Sequence, residues 1–126
     1  MDLPDPKWAR NNKTGHFFRL VHLDPEAEGL EKASGVYVIW HAGVRPRWVY
    51  VGRSDDLAAT FHQVADDDAI MAYDVRGGLY CTWSSVRLEL QDGVVNYLSQ
   101  TLKPKIENPD RARREAVPVP VLPPGL

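Results

Sequence analysis

Cysteine is nearly absent: Cys81 is the only one among 126 residues. No internal disulfide can form, and no Cys/His group has the spacing of a zinc site. Long apolar runs are missing as well. None approaches the roughly 20 residues that span a bilayer, so no membrane partner is expected. The opening MDLPDPKWAR has no apolar stretch of signal-peptide type, and a cytoplasmic, bacterial-type interior is the expected compartment. Positive charge is not in excess. Fifteen Lys and Arg face 17 Asp and Glu, for a net charge of −2 and a pI near 6.0. Duplex binding draws on displaced counterions and normally needs a basic stripe, so this balance argues against a strong stand-alone nucleic-acid binder. A local basic patch is not excluded.

What is present suits one domain with one core. The chain is 44% hydrophobic and 25% charged, with four Trp, five Tyr and three Phe to fill an interior. Residues 1–34 are weakly patterned and read as an N-terminal extension packing on the domain. Within it, His16-Phe17-Phe18-Arg19-Leu20-Val21 suits a short strand or an extended arm. A short helix is expected over 25–32. Two β-branched and aromatic runs follow, Val36-Tyr37-Val38-Ile39-Trp40 and Trp48-Val49-Tyr50-Val51. The Gly- and Pro-containing stretch between them predicts an antiparallel hairpin.

Ser54-Asp55-Asp56-Leu57 offers a helix N-cap, and Leu57, Phe61 and Val64 recur at helical spacing. Asp66-Asp67-Asp68 ends this helix or caps a second short turn to about Tyr73; it lacks the spaced ligands of a calcium loop. After Arg76-Gly77-Gly78, a third strand is expected over 79–86, with a possible continuation to Leu90. Asp92-Gly93 then opens a last helix carrying Val94, Val95, Leu98 and Leu102, which Pro104 closes. The Val-Pro alternation after Pro109 reads as an extended tail over 110–126. The expected fold is α+β: a central three-stranded antiparallel sheet flanked by helices. Trp40, Trp48 and Trp83 fall on strands and are expected as core or half-exposed sheet residues rather than a base-stacking platform, and Cys81 is expected to be buried and inert.

The order and spacing of several motifs carry a further implication. Gly35-Val36-Tyr37 is followed, thirteen residues after its tyrosine, by Tyr50-Val51-Gly52. Together with the Ser54-Asp55-Asp56-Leu57 helix start and the closing Leu102-Lys103-Pro104 and Asn108, this resembles the GIY-YIG nuclease superfamily over about residues 35–109. The resemblance implies phosphodiester hydrolysis with one divalent metal held by a glutamate on the last helix. It also implies two tyrosines at the reacting centre and an arginine on the first helix that stabilises the charged transition state.

Mapped onto this chain, the tyrosines are Tyr37 and Tyr50, and the close-approach glycines are Gly35 and Gly52. The arginine position, three residues after Leu57, holds Thr60; the glutamate position, nine residues before Pro104, holds Val95. Asn108 is offset by one from the asparagine of the family pattern. Losing one charge-stabilising donor costs about a hundred- to a thousandfold in rate, and losing the metal ligand removes the activated water. The resemblance therefore implies a degenerate member, without a cofactor, retained as a binding or interaction module for nucleic acid or a protein partner. Two alternatives stand beside it. One is an active Mg- or Mn-dependent endonuclease in which Asp92 or Glu89 holds the metal and Arg53 or His62 replaces the arginine. Asp92 is otherwise expected to N-cap the last helix and Glu89 to sit on a strand edge. The other alternative is an assembly subunit docking through its termini.

Overall fold

A computed structural model describes residues 3–110 and 116–125; the part of the expected tail over 111–115 and residue 126 lie outside them. The fold is α+β, as the alternating patterns indicate. In chain order the elements are β1 (Phe18–Arg19), β2 (Gly35–His41), β3 (Arg47–Ser54), α1 (Leu57–Ala65), α2 (Asp68–Met71), β4 (Leu79–Ser84) and α3 (Leu88–Leu102). Single 3-10 turns at Leu20–His22 and Ala72–Val75 join them. The sheet runs β1-β4-β2-β3 and every pairing is antiparallel. It has four strands rather than the expected three. The extra member is β1, two residues long, whose Phe18 pairs with Cys81 and stacks on Trp83 at 4.9 Å.

Strand β2 is buried along its whole length. It lies between two neighbours and is covered on both faces, so its side chains divide by period two. Tyr37 and Ile39 enter one core with Val49, Leu57, Phe61 and Val64. Val36, Val38 and Trp40 enter a second core with Val51, Val94, Val95, Leu98 and Val121. Helix α1 therefore covers one face, and α3 with the C-terminal tail covers the other. A bulge opposite Ile39 and Trp40 leaves Val49 unmatched in the hairpin, and both Val49 and Tyr50 consequently reach the α1 core.

Helix α1 begins where the sequence indicates, with Asp56 as its N-cap. The Asp56 carboxylate accepts from Ala59 N at 3.1 Å and from Lys32 N at 3.1 Å, and these backbone bonds hold its pKa below the usual value. Asp67 caps α2 in the same way. The segment 25–32 forms turns instead of the expected helix; Gly29 (φ 74°) and Lys32 (φ 56°) both adopt left-handed backbone. Strand β4 stops at Ser84, so neither 85–86 nor 87–90 is strand. Helix α3 starts at Leu88, earlier than Asp92-Gly93. It ends at left-handed Lys103 (φ 51°), and Pro104 prevents continuation.

Both ends of the chain lie against this framework. Ala9 N donates to Trp83 O at 2.9 Å, Leu122 N to Pro4 O at 2.8 Å, and Trp8 Nε1 to Leu122 O at 2.8 Å. Val119 N reaches Gly93 O on α3 at 2.9 Å. Of the apolar groups of the described tail, Val121 is buried and Val119 packs partly against the second core, while Val117 and Leu122 remain exposed.

Gly35 shows how tight the sheet is: a Cβ there would lie 2.4 Å from the Ser84 carbonyl oxygen. Gly35→Ala is expected to lower stability by about 2–3 kcal/mol in urea unfolding. Gly125→Ala, where a Cβ meets nothing within 4 Å, is expected to stay within about 0.5 kcal/mol of the parent.

Candidate functional site

Tyr37 on β2 and Tyr50 on β3 meet on the α1 face, their ring centroids 6.0 Å apart and nearly parallel. Gly52, opposite Tyr37 in the ladder, makes room for it: a Cβ at Gly52 would sit 2.7 Å from Tyr37 Oη. The two hydroxyls are hydrogen-bonded. Burial, then Tyr50, Asp110 and Asp67, push the Tyr37 phenol far above its ordinary value. Burial and Asp110 push Tyr50 up as well. Both tyrosines are therefore neutral at physiological pH.

The pair opens into a cavity of about 140 Å³ that is also lined by Thr60, Gln63 and Asp67. At about 30 Å³ per water, this space holds a handful of waters and no nucleotide. Thr60, at the arginine position, shares a 2.6 Å hydrogen bond with Ser54 Oγ. Asp67 is a cavity residue that motif reasoning missed. Its carboxylate already accepts from Ile70 N at 3.1 Å as the α2 cap. No cation lines the cavity among the described residues, and the carboxylates of Asp67 and Asp110 both disfavour a tyrosinate there.

The remaining candidates do not converge on the tyrosines. Arg53 pairs with Val36 and so faces α3, not the cavity. There its Nε donates to Gln91 Oε1 at 2.7 Å and its guanidinium pairs with Asp55. Gln91 is 1% exposed and also donates to Ser34 Oγ and Val86 O, so a buried amide ties β3, α3 and the 84–88 connection together. Val95 is likewise on the α3 face, within the second core. His62 points outward and bonds Glu26 at 2.5 Å. Glu89 lies in the first turn of α3, paired with exposed Arg87, rather than on a strand edge. Asp92 lies inside α3, whose N-cap position is Arg87. Asn108 Nδ2 donates to Val51 O at 3.2 Å, and Lys105 and Ile106 donate to Trp48 and Val49 carbonyls, so residues 105–108 line the outer edge of β3. Gly35 abuts Ser84 O and forms no part of the cavity. Among the described residues no three His, Cys, Asp or Glu group as a metal site. No described helix is long and apolar enough to cross a membrane.

A larger depression lies elsewhere, beside the β2–β3 loop. It encloses about 850 Å³ and is lined by Arg45, Arg47, Arg76 and Lys105 around His41 and Tyr73. His41 stacks on Tyr73 at 6.0 Å. Burial, then Arg76, Arg47 and Lys105, hold its imidazole below the ordinary pKa. No single periodicity joins these residues, and sequence reasoning did not collect them. Searches against family models, curated proteins and solved structures return no match for this chain.

The tyrosine pair sets an alkaline limit. Unfolded Tyr37 loses its proton near about pH 10 while the folded residue keeps it, so above that pH the unfolded state binds fewer protons and stability falls. The expected slope is up to about 1.4 kcal/mol per pH unit for this residue. Urea midpoints measured from neutral pH upward are expected to show a shallower decline for Tyr37→Phe.

Proposed function

We propose that the chain is a GIY-YIG-type domain that does not cleave phosphodiesters and acts as a binding module. The observation that carries this reading is the environment of the tyrosine pair. A phosphodiester in its transition state gains negative charge and requires cations aimed at its oxygens. Tyr37 and Tyr50 instead face Asp67, feel the field of Asp110, and share a cavity that no cation lines among the described residues. The substitutes an active enzyme would need are scattered: Arg53 and Val95 on the opposite face of the sheet, His62 and Glu89 engaged at the surface. The paired tyrosines and the glycine packed beneath Tyr37 support the GIY-YIG-type reading itself.

Purified protein with magnesium or manganese is expected to leave supercoiled plasmid and labelled oligonucleotides intact on gels. Divalent-dependent nicking that Tyr37→Phe abolishes would replace this reading with an active nuclease. Restoring the family's glutamate is not expected to help. Val95 is 4% exposed among Val36, Val38 and Leu98, so Val95→Glu places an unpaired carboxylate in an apolar core. That variant is expected to lose roughly 3–5 kcal/mol of stability in thermal or urea unfolding and to gain no cleavage.

A further inference from the structure

The basic depression beside the β2–β3 loop is built from three separate stretches of chain. Arg45 and Arg47 come from the hairpin, Arg76 from the turn before β4, and Lys105 from the segment after α3. Their convergence is enforced by backbone. Ala42 N donates to Gly78 O at 3.0 Å, closing the hairpin loop onto the turn. The approach is so close that a Cβ at Gly43 would lie 2.8 Å from Arg76 O, and one at Gly77 would lie 2.7 Å from Ala42 O. Gly77 and Gly78 adopt φ of 89° and 95°, backbone that favours glycine. Lys105 is fixed by its own N–H, which donates to Trp48 O at 3.0 Å.

This arrangement brings four like charges together around one concavity, and among the described residues no carboxylate lines it. Mutual repulsion makes that unfavourable for folding alone, whereas a bound anion offsets it. The nearest acid of the turn, Asp74, is committed elsewhere: its carboxylate accepts from Leu79 N at 2.8 Å and lies 3.6 Å from Arg19. Guanidinium forks match phosphate oxygens, and three of the four cations are arginines.

Size and charge select the kind of anion. The depression's 850 Å³ falls within the roughly 300–1,000 Å³ of small-molecule sites and far exceeds one phosphate. The net charge of −2 repels a long polyanion, while the local cluster attracts a compact one. We infer that this cleft binds the di- or triphosphate group of a small molecule through Arg45, Arg47, Arg76 and Lys105. The phosphate chain belongs either to a nucleotide or to inorganic oligophosphate. Val44 and Val75, 103% and 88% exposed on the cleft wall, give a nucleoside an apolar surface that a bare oligophosphate does not use. The inference goes beyond the non-cleaving reading and does not depend on it, because the tyrosine cavity lies in a different part of the molecule with no lining residue in common.

Calorimetric titration of the full chain with ATP, with inorganic triphosphate and with a ten-residue thymidine oligonucleotide tests it. Binding of ATP or triphosphate is expected, and it is expected to weaken between about 50 and 200 mM salt. Tighter ATP than triphosphate identifies a nucleotide as the source, and equal affinities identify free oligophosphate. Arg45→Gln and Arg76→Gln, both exposed and expected to keep the parental circular dichroism, should each weaken binding about tenfold. Lys13→Gln, outside the cleft, should leave it unchanged. No binding of either phosphate, binding by both arginine variants as tight as the parent's, or an oligonucleotide that binds far more tightly than both phosphates would overturn the proposal. Tyr37→Phe is expected to bind as the parent does, whichever way the cleavage assay falls.

Discussion

The alternation of β2 and β3 across the sheet decides what can be near what in this protein. Because β2 is buried on both faces, each successive side chain is sent to a different core. Tyr37 and Tyr50 go to the α1 side; Arg53 goes to the α3 side, where Gln91 receives it. Arg53 lies three positions after Tyr50 in the chain, yet the sheet lies between their side chains. An odd spacing on one strand puts two residues on opposite faces unless a bulge intervenes, and the bulge here, at Val49, lies before both.

Gln91 shows how the α3 face tolerates polarity. It occupies the first position of the stripe continued by Val94, Val95 and Leu98, where an apolar residue would normally pack. Three hydrogen bonds compensate its burial, to Arg53, Ser34 and Val86. Truncating Arg53 or Ser34, the two side-chain partners, would cost the buried amide one of its bonds, a loss of about 1–3 kcal/mol. A charged guanidinium held this way ties helix to strand.

The elements most legible in the sequence were those with a long, clean period. The hairpin followed from two β-rich runs around a Gly/Pro loop, and α1 from the spacing of Leu57, Phe61 and Val64 behind a capping aspartate. Strand β1 was legible over 16–21 only as a short strand or an extended arm, because two residues carry no period; its place in the sheet comes from pairing with β4 and from Phe18 stacking on Trp83. The start of α3 was misread because Val86, Leu88 and Leu90 alternate like a strand. Leu88 and Leu90 are in fact on the solvent side of the helix, 65% and 37% exposed. Of the candidate site, the tyrosine pair and Gly52 were readable as motifs. Asp67 and the basic cleft were not, since a cap residue and four scattered cations acquire a shared neighbourhood only through tertiary closure.

The tail packs where α3 carries Gly93: a side chain there would collide with the Val117 carbonyl and with Val119. Farther along, the same tail bonds Pro4 and Trp8 of the N-terminal arm, while Arg10 reaches Gly125 O at 3.2 Å. Each terminal segment thus supplies the other's bonding partners, so fraying of one exposes groups that the other was satisfying. The two ends are therefore expected to open as one unit, with amide-exchange protection linked across segments more than a hundred residues apart in sequence.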